Sequence, residues 1–192
     1  MLRIATANVN GIRAAHRRGL GDWLSTRGSD VIALQEVRAQ ADKLPAAAFG
    51  GYHVALDPGS LPGRNGVAVL TRQAPAAIRT WSGSTLVGGP QRRGDPGGGE
   101  EGGAIGPVPS PDRVPLARGL GPFVAEGRYL EVDLEDAPLT IACLYLPKGG
   151  LPAELQRPGR MREAPDGGAR YARKMGFMAA FARYLTRTRR AA

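Results

Sequence analysis

Apolar and polar positions follow two periods along this chain, one close to two residues and one close to three and a half. Leu2 to Ala7 is a short apolar run closed by Asn8-Val9-Asn10-Gly11, which predicts a strand and its exit turn. Ile12 to Thr26 takes the helical period, with Ile12, Ala15, Leu20, Trp23 and Leu24 on one face and Arg13, Arg17 and Arg18 on the other. Gly19 and Gly21 weaken its middle. Gly28-Ser29-Asp30 then punctuates the start of Val31 to Gln35, an unbroken apolar run that stops at Glu36. Strand, helix, strand is an α/β opening. Further on, Lys43 to Phe49 predicts a helical turn, Tyr52 to Leu56 a strand, Pro58 to Asn65 a turn region and Gly66 to Thr71 another strand. Ile78 to Trp81 either extends that strand or begins the next.

From about Ser82 to Pro122 the pattern is lost in Gly, Pro and Arg, with Gly97 to Gly103 at the centre. So few apolar side chains do not offset the entropy of ordering, and the stretch reads as a disordered insertion. A phosphate-cradling glycine loop needs a preceding strand, a following helix and a Lys-Ser/Thr pair, and none of these is present. Alternation resumes over Gly127 to Leu134, turns at Glu135 to Pro138 and continues from Leu139 to Leu146, an antiparallel hairpin that exits at Tyr145-Leu146-Pro147. Leu151 to Gly168 reads as a mobile loop. Arg170 to Arg190 reads as a helix buried through Met175, Met178, Phe181 and Leu185.

Composition narrows the partners. The formal charge of +9 favours a polyanion, and the lack of a basic amphipathic helix or long apolar stretch makes nucleic acid a better fit than a membrane. The single cysteine, Cys143, rules out a disulfide framework, and the N-terminus lacks a secretory pattern; a reducing, cytoplasmic setting is expected. The chain is long enough for one domain with a sizeable core.

The chemistry that stands out lies at the ends of strands. Glu36 and Asn8 close two apolar runs, and neighbouring strand ends offering a carboxylate and an amide could share an oxygen-rich site for a hard cation such as Mg²⁺. Spacing alone leaves open, and indeed favours, a solvated loop residue at Glu36 and a turn residue at Asn8.

Several pieces in order change that balance. Ile4 to Ala14 (IATANVNGIRA), Asp30 to Glu36 (DVIALQE), Gly51 to Val54 and Asn65 to Arg72 (NGVAVLTR) are followed by Gly127 to Leu130, Leu144 to Pro147 and Lys174 ahead of Met175 and Phe177. Together they resemble the exonuclease III family of DNA-repair nucleases, within the endonuclease/exonuclease/phosphatase superfamily. The resemblance covers nearly everything outside the Gly/Pro-rich stretch. It implies a two-layer β-sandwich flanked by helices and a Mg²⁺- or Mn²⁺-dependent phosphodiesterase acting on double-stranded DNA at 3′ ends and abasic sites, expected to be monomeric. By the same resemblance Glu36 is the metal ligand, Asn8 hydrogen-bonds beside it and Tyr145 meets the scissile phosphate. Arg13, Arg128, Asn65 and Lys174 are carried over as DNA contacts.

Two departures qualify this. The family's Gly-Asp-x-Asn strand end, whose Asp handles the attacking water, does not occur in the 192 residues, nor does its closing Ser-Asp-His. His16 and His53, the two histidines, lie in the first half. The chain therefore reads as the first half to two-thirds of the fold, residues 1–192 forming a partial domain that leaves one sheet face uncovered. An inactive, DNA-binding remnant is the alternative to a working nuclease. Phosphatase and lipid-phosphodiesterase relatives share the strand ends, but Asn10-Gly11-Ile12-Arg13 and the basic balance favour DNA.

Overall fold

Val31–Gln35 forms the strand that its apolar run predicts, and its side chains divide between two buried faces. Ile32 and Leu34 join one apolar cluster while Val31 and Ala33 join another. Both faces are covered, which explains why the run is continuous rather than alternating. The computed structural model describes residues 1–45, 47–90, 105–109, 114–159 and 164–191. They fall into two units, Met1–Val114 with Phe123–Tyr145, and Pro115–Pro122 with Leu146–Ala192.

In the first unit, strands β1 (Ile4–Asn8), β2 (Val31–Gln35), β3 (His53–Asp57), β4 (Val67–Thr71), β6 (Ser84–Gly88) and β7 (Gly106–Pro109) make one sheet in the order β1-β2-β4-β3-β6-β7. β5 (Ala77–Thr80), β8 (Tyr129–Asp133) and β9 (Thr140–Leu144) make a second, in the order β5-β8-β9. Leu130, Val132 and Cys143 of the small sheet pack on Val31, Ala33, Ala55, Val67 and Val69 of the large one. On the other face of the large sheet, α1 (Ile12–Arg17) and α2 (Leu20–Arg27) bury Ile12, Ala15, Leu20 and Leu24 with Phe49 and Tyr52. This is the expected α/β architecture, two β-layers flanked by helices. Both layers are present in this unit, and the small sheet covers one face of the large one, whereas the partial-domain reading expected a sheet face left uncovered. Exposure of apolar strand residues is local: Ile4 on edge strand β1 is 54% exposed and Val108 on edge strand β7 is 48% exposed.

Two local expectations are revised and one open choice is decided. The helix predicted over Ile12 to Thr26 is two helices, because Gly19 adopts φ +90, a left-handed turn that helical backbone cannot pass through. The stretch 82–122, expected to be without order, contributes β6 and β7, in which Thr85 and Leu86 are buried; its glycine-rich centre lies outside the described residues. Ile78 begins a new sheet rather than extending β4.

The second unit is built on α3 (Ala169–Ala191). The face that faces inward is Phe177, Ala180 and Tyr184, not the predicted stripe: Met175, Met178 and Leu185 are exposed. Phe181 sits between the two, stacking on Phe177 at 5.9 Å and meeting Tyr184 at 5.7 Å. The stripe read by spacing was rotated because methionine and leucine outnumber aromatics in it, while the aromatics bury more surface per residue. Among its described residues, the loop before α3 is held by hydrogen bonds. Gln156 donates to Asp166 at 2.7 Å, and Asp166 accepts the backbone N–H groups of Gly168 and Arg170, capping the helix.

Candidate active site

Asn8 and Gln35 are paired across β1 and β2, so Asn8 and Glu36 leave the large sheet together at one rim. β9 leaves the small sheet at the same rim with Tyr145. The three side chains converge: Asn8 Nδ2 donates to Glu36 Oε1 at 2.9 Å, and the Tyr145 hydroxyl donates to the same oxygen at 2.8 Å. The other carboxylate oxygen, Oε2, is ion-paired with Arg38. Partial burial pushes the Glu36 carboxyl up, but the hydrogen bonds from Asn8 and Tyr145 and the Arg38 charge outweigh it and hold the carboxyl below its ordinary range. Burial and the Glu36 carboxylate raise the Tyr145 phenol, which therefore stays a hydrogen-bond donor at neutral pH.

The loops of this rim are held by one another's backbone. Gly11 N–H bonds Glu36 O at 2.8 Å, Val37 N–H bonds Gly66 O at 3.1 Å, Arg38 N–H bonds Asn65 O at 2.8 Å and Gly66 N–H bonds Gly127 O at 3.1 Å. All four non-glycine residues with positive φ among the described residues are here: Asn10, Glu36, Arg38 and Asn65. A left-handed glutamate and arginine cost free energy that their surroundings must offset, and such positions gather where side-chain placement matters.

The predicted residues separate into groups. Asn8, Glu36 and Tyr145 meet. Arg13 is exposed and lines a recess of about 230 Å³ with Gly11, Arg17, Arg38 and Gly63. Arg128, expected as a DNA contact, is 6% exposed. Its guanidinium donates to Glu126 Oε2 at 2.5 Å and to the Tyr145 carbonyl at 3.2 Å, and lies over the Tyr145 ring. This geometry makes Arg128 a support for Tyr145, because a buried guanidinium spends its donors on nearby acceptors. Asn65 likewise turns to the Glu126 carbonyl, at 3.0 Å. Lys174 belongs to the second unit, on α3 beside Gly149. Arg38 and Glu126 were missed. A cation two residues beyond a strand-end carboxylate was a legible signal for the first; nothing in the spacing marks the second.

A hard divalent cation is held by oxygen, and Mg²⁺ in particular by one or two carboxylates together with water and substrate phosphate. Glu36 offers such a carboxylate, ionised and part-exposed. Among the described residues no group of three or more His, Cys, Asp or Glu gathers as a protein cage. The donor set therefore fits an ion that is largely hydrated and bound to phosphate, and does not fit one enclosed by protein.

The two-sheet α/β sandwich thus brings a carboxylate, an amide and a phenol together at one strand-end rim. The chain belongs to the Endonuclease/Exonuclease/phosphatase family, whose family model matches residues 5–184. Among solved structures it is similar to an AP endonuclease from Archaeoglobus fulgidus, with 23% identity and TM-score 0.60 over 98% of this chain and 52% of that one. The catalytic domain of Xenopus laevis APE2 matches at 22% identity and TM-score 0.59, over 94% of this chain and 52% of that one. A 3′-5′ exonuclease (NExo) from Neisseria meningitidis matches at 18% and 0.54, over 96% and 51%. The chain thus spans about half the length of each structure. Among the described residues no helix is long and apolar enough to cross a membrane.

Proposed function

We propose that this chain carries the metal-side part of a divalent-metal-dependent DNA phosphodiesterase of the exonuclease III type, acting at 3′ ends or abasic sites of duplex DNA. The observation that carries the reading is the convergence of Asn8, Glu36 and Tyr145 on one carboxylate oxygen at the strand-end rim. Glu36 would hold Mg²⁺ or Mn²⁺. The bound ion would supply charge stabilisation to the non-bridging and leaving oxygens of a phosphodiester. Asn8 orients the Glu36 carboxylate, and Tyr145 presents a hydroxyl that can turn from Glu36 to a phosphate oxygen. Arg128 and Asn65 hold the loops that aim Tyr145. Arg13 and the formal charge of +9 favour a polyanionic substrate. A similar solved structure, the 3′ phosphatase NExo from Neisseria, is bound to a product DNA hairpin, in keeping with this substrate class.

The acid that would activate water is not provided by Glu36, which is tied to three donors. Efficient hydrolysis by the 192 residues alone is therefore not expected, while binding is. The test is Mn²⁺ binding followed by electron paramagnetic resonance, alongside incision of a duplex carrying an abasic-site analogue. Mn²⁺ affinity lost in Glu36→Gln, with incision near background, is the expected pair of results. Unchanged Mn²⁺ affinity in Glu36→Gln would remove the metal-ligand reading. Metal-dependent incision that disappears in Glu36→Ala would show that the chain is a complete catalyst. The basic balance also favours a second reading, a DNA-binding protein without catalysis, for which DNA affinity would be indifferent to Mn²⁺ and to Glu36.

A further inference from the structure

The two carboxylate oxygens of Glu36 face donors of different kinds. Oε1 takes the Asn8 amide and the Tyr145 hydroxyl. Both side chains stand at strand ends, and the Tyr145 backbone is itself bonded to Arg128 O at 2.9 Å, so this oxygen is held by fixed neighbours. Oε2 takes Arg38. Arg38 is a long side chain on a loop, 41% exposed at the side chain against 13% for Glu36. Its backbone is fixed by the bond to Asn65 O, but its guanidinium can reach elsewhere. Arg38 also lines a recess with Gly11, Arg13, Arg17 and Gly63.

A guanidinium is a permanent cation, and here it lies at the one Glu36 oxygen that the strand ends leave over. An incoming divalent ion needs that oxygen. We propose that Arg38 is a tethered competitor for the cation at Glu36: it occupies Oε2 in the metal-free protein and must leave it for the ion to bind. The inference rests on Glu36 as the cation ligand and adds to it a residue that sets the affinity. The arrangement keeps Glu36 ionised and correctly turned without metal, so that the carboxylate is ready, and it sets a threshold below which the ion does not displace the internal charge.

The experiment is a Mn²⁺ titration of the whole 192-residue chain at neutral pH and low salt, read by the resonance of the free ion. Four proteins are compared: the parent, Arg38→Gln, Arg38→Lys and Glu36→Gln. Arg38→Gln is expected to bind Mn²⁺ about two- to fivefold more tightly, the range that a part-exposed ion pair supplies. Arg38→Lys, which restores a cation, is expected to return toward the parent. Arg38→Gln binding equally or more weakly, while Glu36→Gln has lost the ion, overturns the competition and leaves Glu36 as ligand. Glu36→Gln binding like the parent overturns the ligand reading and this inference with it. Arg38 is exposed on a loop, so folding of its variants is not at issue, and circular dichroism confirms it.

Discussion

Asp57 ends β3 at the rim that carries Glu36, and it is 4% exposed. Its carboxyl accepts the Gly59 N–H at 3.0 Å, and no cation is paired with it among the described residues. Burial pushes it from 3.8 up to about 7, against a smaller downward pull from that hydrogen bond. The folded protein thus keeps this proton up to about pH 7, whereas the unfolded chain loses it near 3.8. Across that window the folded state binds more protons, so stability falls as pH rises, and above it the whole cost of the buried charge is present. At about 1.4 kcal/mol per pKa unit, a rise of some three units sets a ceiling of about 4 kcal/mol, and relaxation around the charge lowers the expected effect to about 2 kcal/mol. Asp57→Asn keeps the oxygen that accepts from Gly59 and removes the charge. Urea unfolding at several pH values, followed through Trp23 and Trp81, reads the unit that contains Asp57, since both tryptophans lie within it. The variant should be about 2 kcal/mol more stable than the parent at about pH 8 and lose most of that advantage by about pH 4. A difference that does not change with pH would refute the reasoning, because a packing effect of the amide has no proton attached to it.

Three other outcomes follow from the rim. Tyr145→Phe removes one of the donors that hold the Glu36 carboxyl low, so the carboxyl should titrate nearer its ordinary value by NMR and the protein should lose about 1 kcal/mol at neutral pH, less in acid. Arg128→Ala removes a buried guanidinium from both the Glu126 carboxylate and the Tyr145 carbonyl and should cost about 3 kcal/mol in denaturant unfolding, against little for Arg13→Ala, which is exposed. Gly127 adopts φ +62, and an added Cβ would come within 2.5 Å of Gly59 N and 2.8 Å of Pro58 C. Gly127→Ala should therefore lower the unfolding midpoint sharply, by about 2 kcal/mol or more, whereas Gly121→Ala, with nothing within 4 Å, should not.

The strands of the sandwich were legible because their apolar character is local: Val31 to Gln35 and Gly66 to Thr71 can only be satisfied between two layers. Glu36 and Asn8 stood out as polar groups where two apolar stretches end, and the structure brings these two side chains within hydrogen-bond distance. What sequence could not reveal was how the ends are joined. That Glu126 gathers both Arg128 and Asn65 depends on contacts across 61 residues of chain in the second case, which no period encodes. The burial of Arg128 was hidden for a related reason. A charged residue next to a strand is usually solvated, and only the Glu126 carboxylate and Tyr145 carbonyl beside it make burial tolerable. The strands β6 and β7 escaped because glycine and proline dominate their neighbourhood, although Thr85, Leu86 and Val87 are an ordinary short strand.

Cys143 lies between the two sheets, 1% exposed, with its Sγ 3.4 Å from Leu34 O and from Gln35 Nε2, and burial raises its thiol to about 11. As the single thiol of the chain it is a ready-made clock for the parting of the layers. A small thiol reagent can label it only in molecules whose small sheet has lifted from the large one, so the labelling rate under native conditions measures how often that happens, and its dependence on reagent concentration separates the frequency of opening from its population. Comparing that rate with and without Mn²⁺ would report whether charge placed at the rim travels down β2 and β9 to quiet the middle of the sandwich, a readout that needs neither DNA nor turnover.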